Sequence, residues 1–150
     1  MKIPAEPPVG HLVAYEYLWS SKAGVQDHGE KTYPAAIILA REGLGSATIT
    51  YSLGISHSPP RPGQRALPVP PKLKRWLGLD ALPSWIYPDQ INIFVWPGPD
   101  LQPADRLSNR PDARDSCVIG ALPDDWFKLV LDDVAESYRL KLVTPIKRNE

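Results

Sequence analysis

A serine, a histidine and a second serine stand together where a strand-like segment ends. The segment "LGISHSPP" (53–60) is apolar and β-branched up to Ile55, and Ser56, His57 and Ser58 then precede two prolines. Hydroxyl and imidazole side chains at such a point can donate hydrogen bonds or transfer protons. Serine before proline is also an ordinary way for a chain to leave a sheet. Both interpretations, a reactive site and a turn, stay open on these residues alone.

Two other polar residues are candidates for the same chemistry. Asp89 lies in the otherwise apolar segment "SWIYPDQINIFVW" (84–96), where an acid either serves a site or satisfies a bulge after Pro88. His28 lies in a polar loop, either as a solvated histidine or as a proton-transfer group. Because the three histidines and the single cysteine lack metal-ligand spacing, we expect neither a metal site nor a cofactor.

The composition predicts one folded domain of 150 residues. The 17 basic and 17 acidic residues balance, so the overall charge gives no support for nucleic-acid binding, although a local basic patch remains possible. No segment has the length of a membrane span, and the first ten residues, "MKIPAEPPVG", lack the apolar stretch of a signal peptide. With one cysteine, the chain suits a reducing compartment, and we expect a cytoplasmic protein that does not associate with a membrane.

The hydrophobic pattern predicts several short strands and two helices. We expect an N-terminal arm at 1–9, a domain at 10–143 and a C-terminal tail at 144–150. Within the domain, the pattern indicates strands at 10–19, 33–40, 46–56 and 66–70, one or two strands at 84–96, a long polar loop at 97–116, and helices at 71–80 and 123–143. In the last helix, the apolar face contains Trp126, Phe127, Val130, Val134 and Tyr138. These elements predict a mainly β fold, a small and strongly bent antiparallel barrel with a short helix and a C-terminal helix.

The order of these elements resembles that of the PemK/MazF family of toxins. The resemblance depends on Gly10 and on the segments "GEKTYPAAIILA" (29–40), "LGISHSPP" (53–60) and "SWIYPDQINIFVWPGPDL" (84–101). It implies an SH3-like barrel, usually homodimeric, that is the toxin of a type II toxin–antitoxin pair. Such a protein cuts single-stranded RNA without metal, through attack of the RNA 2′-hydroxyl on the neighbouring phosphate, and binds a cognate antitoxin protein.

The resemblance also implies which residues form the site. Ser56 and Asp89 match positions that act in catalysis, and His28 and His57 could supply the acid and the base. We expect Ser56 and Asp89 to face one concave surface, although adjacent strand residues point to opposite faces, which weakens the case for His57 beside Ser56. The residues expected to contact RNA are Lys31, Tyr33, Arg61, Arg65, Tyr87 and Gln90.

The chain departs from the family at two positions. Tyr33 and Tyr87 stand where the family typically has arginine. A guanidinium offers a fixed fork of donors and a permanent charge, whereas tyrosine offers one neutral donor. The alternative function is therefore a barrel that has lost catalysis and only binds RNA or a protein partner.

Overall fold

The computed structural model describes residues 1–19 and 31–148, and these form a mainly β fold. The predicted loop histidine, His28, lies outside the described residues. In chain order, the elements are β1 (His11–Tyr15), β2 (Tyr33–Glu42), β3 (Thr48–Ser56), β4 (Leu67–Pro68), α1 (Pro71–Trp76), β5 (Trp85–Ile86), β6 (Gln90–Val95), β7 (Val118–Ala121), α2 (Asp124–Arg139) and β8 (Thr144–Lys147).

A curled sheet contains all eight of these strands. Strand β2 is central, because it pairs antiparallel with β1 on one side and with β3 on the other, and β1 continues to β7. Strand β3 divides its outer edge between two partners. Residues 49–52 pair with β6, whereas residues 55–56 pair with β5, which in turn pairs with β4. The sheet therefore curls around the end of β3, where Ser56 lies.

Both faces of the central strands are buried. In β2, alternate residues enter two separate apolar clusters, with Ala36 and Ile38 in one and Ala35 and Ile37 in the other. Strand β1 alternates in the same way, because successive strand side chains point to opposite faces. This arrangement explains the apolar residues 35–38. The predicted strand at 33–40 is confirmed, but its burial is not continuous, because Leu39 is 50% exposed.

Helix α2 packs on the apolar cluster that contains Ala36 and Ile38. The residues predicted for its buried face are partly wrong. Val130 and Val134 are buried as expected, whereas Tyr138 is 54% exposed. The buried line passes through Ser137, whose hydroxyl donates to the Asp133 carbonyl at 2.9 Å. The next buried residue after Val134 was expected four positions later, and in the structure it lies three positions later.

The C-terminal segment 144–150 is not a simple tail, because Thr144–Lys147 form β8. This strand pairs with β6 in parallel, so the prediction of a wholly antiparallel sheet is wrong at this edge. The adjoining Arg148 side chain is buried and donates to the Asp100 carboxylate at 2.8 Å and to Asn92 Oδ1 at 3.0 Å. The sequence "TPIK" of β8 has no apolar alternation that would predict a strand. Its partner, β6, lies more than 50 residues earlier in the chain, so local pattern does not indicate the pairing.

The remaining differences concern ends and connections. Strand β1 ends at Tyr15 rather than at residue 19, β7 was not predicted, and the loop 97–116 contains two 3-10 turns, Ala104–Arg106 and Pro111–Ala113. The arm 1–9 packs on the domain, because the Trp96 indole N–H donates to the Pro4 carbonyl at 2.8 Å. In the described part of the chain, no helix has the length and apolar character needed to cross a membrane.

Candidate active site

Ser56, His57 and Ser58 line a pocket of about 160 Å³ at the end of β3. Ser56 is the last strand residue, and its hydroxyl accepts a hydrogen bond from the Ser58 backbone N–H at 3.1 Å. The chain bends at His57, so this side chain is released from strand geometry and lines the same pocket as Ser56. Strand alternation therefore does not separate the His57 side chain from that of Ser56.

The His57 imidazole is held by a carboxylate that the sequence did not indicate. His57 Nε2 lies 2.9 Å from Asp80 Oδ2 and 3.1 Å from Asp80 Oδ1. Both side chains are 51% exposed, so the pair lies at the mouth of the pocket. An ionised Asp80 accepts from Nε2–H, which leaves Nδ1 as the basic ring nitrogen available for proton exchange.

Asp80 is positioned by the end of helix α1. Gly78 has a φ of 71°, and a Cβ at this residue would lie 2.6 Å from Asn109 Oδ1 and 2.8 Å from Ser108 Oγ. Only glycine adopts this conformation in so little space without strain. The turn after Gly78 brings Asp80 back toward the helix, where its carboxylate meets Lys74.

Lys74 is a buried cation with three acceptors. The residue is only 4% exposed. Its ammonium donates to Asp80 Oδ1 at 2.7 Å, to Ser84 Oγ at 2.7 Å and to the Leu82 carbonyl. Three donors thus meet three acceptors, which is what a buried ammonium requires. Lys74 was not among the residues predicted for the site. The available signal was the position of Lys74 between Leu73 and Leu77, which are both buried.

The charge on Asp80 is stabilised by these contacts. Partial burial is the largest single influence on its pKa and acts to raise it. Hydrogen bonds from Lys74 and the Leu82 N–H, with the charges of Lys74 and His57, outweigh that influence and hold the pKa below its ordinary value. Asp80 therefore faces His57 as a carboxylate.

The opposite wall of the pocket comes from the start of β2. Lys31, Thr32, Tyr33 and Pro34 line it, and the exposed Lys31 ammonium lies 5.3 Å from the centre of the Tyr33 ring. A cation near a ring face is attracted by the ring quadrupole. The pocket thus brings together Ser56, His57, Lys31 and Tyr33, four of the residues predicted for the site.

Tyr33 and Tyr87 both contact the Trp19 ring. The Trp19 ring makes edge contacts with both, at centroid distances of 5.3 and 5.6 Å. Tyr87 is 4% exposed and its hydroxyl donates to the Ser58 carbonyl, so it packs against the chain and does not present a free ring to RNA. Burial, with the nearby Asp89 charge, raises the pKa of Tyr87. Gly54 makes room for this aromatic group, because a Cβ there would lie 2.7 Å from the Trp19 ring.

Asp89 is not among the described residues that line this pocket. Burial raises the pKa of its carboxyl, Asp133 adds to that effect, and Gln64 and Arg65 oppose it. Arg65 itself is ion-paired with Asp133 on α2. The described lining of this pocket therefore includes Ser56 and not Asp89, and a concave surface shared by the two residues stays a prediction.

The last two predicted RNA contacts also lie outside the lining. Arg61 is exposed on the loop after β3, in a turn closed by a hydrogen bond from the Gln64 N–H to its carbonyl at 2.9 Å. Gln90 begins β6, where its carbonyl accepts from the buried Tyr17 hydroxyl at 2.8 Å. Neither residue is among the described residues that line the Ser56 pocket.

Comparisons with known protein families, with curated proteins and with solved structures give no match for this chain. The interpretation of the pocket therefore depends on its own chemistry. Within residues 1–19 and 31–148, no group of three or more His, Cys, Asp or Glu side chains is arranged to hold a metal ion. The pocket offers a hydroxyl, an imidazole held by a carboxylate, and one exposed ammonium, a set suited to proton transfer beside an anion.

Proposed function

We propose that this protein is an endoribonuclease-like toxin that cuts single-stranded RNA without metal. The observation that supports this most is the imidazole of His57, held by the Asp80 carboxylate beside the Ser56 hydroxyl in one small pocket. A pocket of about 160 Å³ lies below the usual range for whole ligands, about 300–1,000 Å³, and suits a phosphate with the adjoining ribose edge. The toxin–antitoxin role is proposed from the sequence resemblance.

The proposed step is attack of the RNA 2′-oxygen on the adjacent phosphorus. The 2′-hydroxyl proton passes to His57 Nδ1 as the new bond to phosphorus forms. The bond to the 5′-oxygen breaks as that oxygen takes a proton from water at the open pocket mouth, and His57 returns its proton to water afterwards. The products are a 2′,3′-cyclic phosphate and a 5′-hydroxyl end. Asp80 orients the ring and stabilises the imidazolium, and Ser56 and Lys31 contribute a hydroxyl donor and a positive charge near the phosphoryl oxygens.

A binding-only barrel is the second candidate function. No arginine is among the described residues that line the pocket, and Arg65 is ion-paired with Asp133. Losing one donor to the transition state typically costs about 10²- to 10³-fold in rate, so any cleavage should be slow. Such a protein would retain binding to RNA or to the antitoxin.

The test is cleavage of a long single-stranded RNA by purified protein in excess chelator. We expect His57→Ala to lower the rate by about 10²- to 10⁴-fold and Ser56→Ala by a smaller factor. Asp132→Ala is the matched control, because Asp132 is exposed on α2 and does not line the pocket, and its rate should stay close to that of the wild type. Equal rates for all four proteins would indicate a contaminant or another site.

One further variant separates the two candidate functions. Tyr33→Arg places a guanidinium on the pocket wall, and it should raise the rate if the site lacks only charge. Tyr87→Arg is not equivalent, because Tyr87 is buried and an arginine there would need a partner for its charge. If neither the wild type nor Tyr33→Arg cleaves RNA while binding is retained, the binding-only function is correct.

We also propose that the protein forms a homodimer and pairs with an antitoxin. Light scattering across micromolar concentrations tests the first statement, and a monomer mass throughout would contradict it. Growth arrest on expression, relieved by co-expression of a small neighbouring gene, tests the second.

A further inference from the structure

A second cavity, of about 300 Å³, adjoins the proposed active site. Four residues line both cavities: Lys74, Leu79, Asp80 and Ser84. The Lys74–Asp80 ion pair is therefore a shared wall, and the half-exposed Asp80 lies at both mouths. A chain whose phosphate occupies the first cavity can place a neighbouring group in the second.

The second cavity differs from the first in size and chemistry. Its volume is at the low end of the range for ligand pockets, which suits one flat group rather than a large molecule. Its lining is mostly apolar and includes Trp85, Leu82 and Pro83. Arg75 also lines it and is exposed, so a second cation stands at the cleft besides the buried Lys74.

Trp85 is fixed next to the proposed site by sheet pairing. In β5, Trp85 pairs with Ser56 of β3 on one side and with Pro68 of β4 on the other. Its backbone is thus tied to the residue that contributes the hydroxyl of the first cavity. An indole that is half-buried in such a position offers a rigid surface on which a flat ring can stack.

We propose that this cleft binds one nucleobase of the RNA, stacked on Trp85, next to the phosphate that is cut. Three observations lead to this occupant: the continuity with the active-site pocket, the apolar walls of a cavity sized for one ring system, and Arg75 placed for an adjoining phosphodiester. Every base has a π-face, so stacking supplies affinity, and the walls set which base fits. This inference rests on the proposed function for its substrate.

The experiment measures binding of AMP, CMP, GMP and UMP by NMR chemical-shift titration, with ribose 5-phosphate as a ligand that lacks a base. We expect Trp85→Ala to weaken binding of the favoured nucleotide by about 5- to 150-fold, the usual effect of losing one stacked base. Binding of ribose 5-phosphate should not change. Trp85→Phe should retain most of the affinity, because it keeps a stacking ring.

Two additional variants guard against a folding effect at Trp85. Ala81→Trp fills the cleft from an exposed lining residue, and it should weaken nucleotide binding while leaving Trp85 intact. Trp76→Ala is the matched control, because Trp76 is 53% exposed on α1 and does not line the cleft. It should bind nucleotides as the wild type does.

The outcomes separate this inference from the proposed function. RNA cleavage with nucleotide binding unaffected by Trp85→Ala and Ala81→Trp would overturn the base site and leave the nuclease standing. Nucleotide binding that depends on Trp85, without cleavage by the wild type, would support the base site and overturn the nuclease. Equal losses for nucleotides and ribose 5-phosphate, or no nucleotide binding by the wild type, would also overturn the base site.

Discussion

The ion pair between Lys74 and Asp80 should respond unequally to the loss of either partner. Lys74 is buried, whereas Asp80 is half exposed at the pocket mouth. Asp80→Asn leaves a positive charge in the protein interior without its anion. Lys74→Met leaves a carboxylate that water already reaches. We therefore expect the loss of the exposed partner to cost more than the loss of the buried one.

The contacts set the sizes of these costs. Removing one partner of a buried ion pair typically costs about 3–5 kcal/mol. We expect about 3 kcal/mol for Asp80→Asn, because the amide oxygen still accepts a hydrogen bond from Lys74. In Lys74→Met, Ser84 Oγ already lies 3.2 Å from the Leu82 carbonyl and can satisfy it, so about 2 kcal/mol is expected. The double variant should also cost about 2 kcal/mol, the same as Lys74→Met. Once the ammonium is absent, replacing the Asp80 carboxylate breaks no further ion pair with residue 74.

Urea unfolding at pH 7, followed by circular dichroism, measures the three variants against the wild type. For a domain of this size, about 1 kcal/mol corresponds to roughly 2–4 °C in Tm, so thermal unfolding gives an independent measurement. The control is Arg139→Ala, which removes an exposed ion pair with Glu136 and should change stability by less than about 1 kcal/mol. Additive costs in the double variant, or a larger cost for Lys74→Met than for Asp80→Asn, would refute this reasoning.

Three other outcomes follow from buried groups. Burial raises the pKa of Asp89 above its ordinary 3.8, so its contribution to stability is full below pH 3.8 and is lost as the pH rises through the raised pKa. Asp89→Asn should therefore be more stable than the wild type at pH 7. A series of thermal-unfolding measurements should show this difference in stability shrinking as the pH is lowered. Arg148→Met removes the buried partner of Asp100, and we expect a loss of about 3 kcal/mol in urea unfolding with faster hydrogen exchange along β6 and β8; unchanged exchange there would contradict the role of this side chain. Gly54→Ala places a Cβ 2.7 Å from the Trp19 ring and should cost about 1–3 kcal/mol by urea unfolding, and a stability equal to that of the wild type would show that the ring moves freely.

Much of the secondary structure follows from local sequence pattern. The apolar run 33–40 forms the central strand, buried on both faces over residues 35–38, and the β-branched segment after it forms the hairpin partner β3. The short helix after Pro70 and the long terminal helix also begin within a residue or two of their predicted starts. These elements are predictable because burial on a strand or helix repeats at a fixed interval along the chain.

The candidate site was only partly visible in the sequence. Ser56 and His57 do line one pocket, but the Asp80 carboxylate that holds His57 lies 23 residues later, and neither Asp80 nor Lys74 was predicted. Asp89 was expected to face the same surface as Ser56, and the sequence did not indicate that Arg65 and Asp133 would influence its carboxyl. The position of a charged residue in the sequence does not indicate its ion-pair partner, because that partner comes from a distant segment and is set by the folded structure.

The sequence by itself thus determined the strands and helices whose residues repeat at the period of the element. Only the tertiary structure decided that 144–147 joins the sheet, that Lys74 is an interior cation, and that Asp80 reaches His57. Hydrophobic periodicity is a pattern among residues close together in the chain, so it can be recognised from the sequence alone. Strand pairing and ion pairing depend on the free energy of packing distant segments together, and that quantity is set by the whole fold.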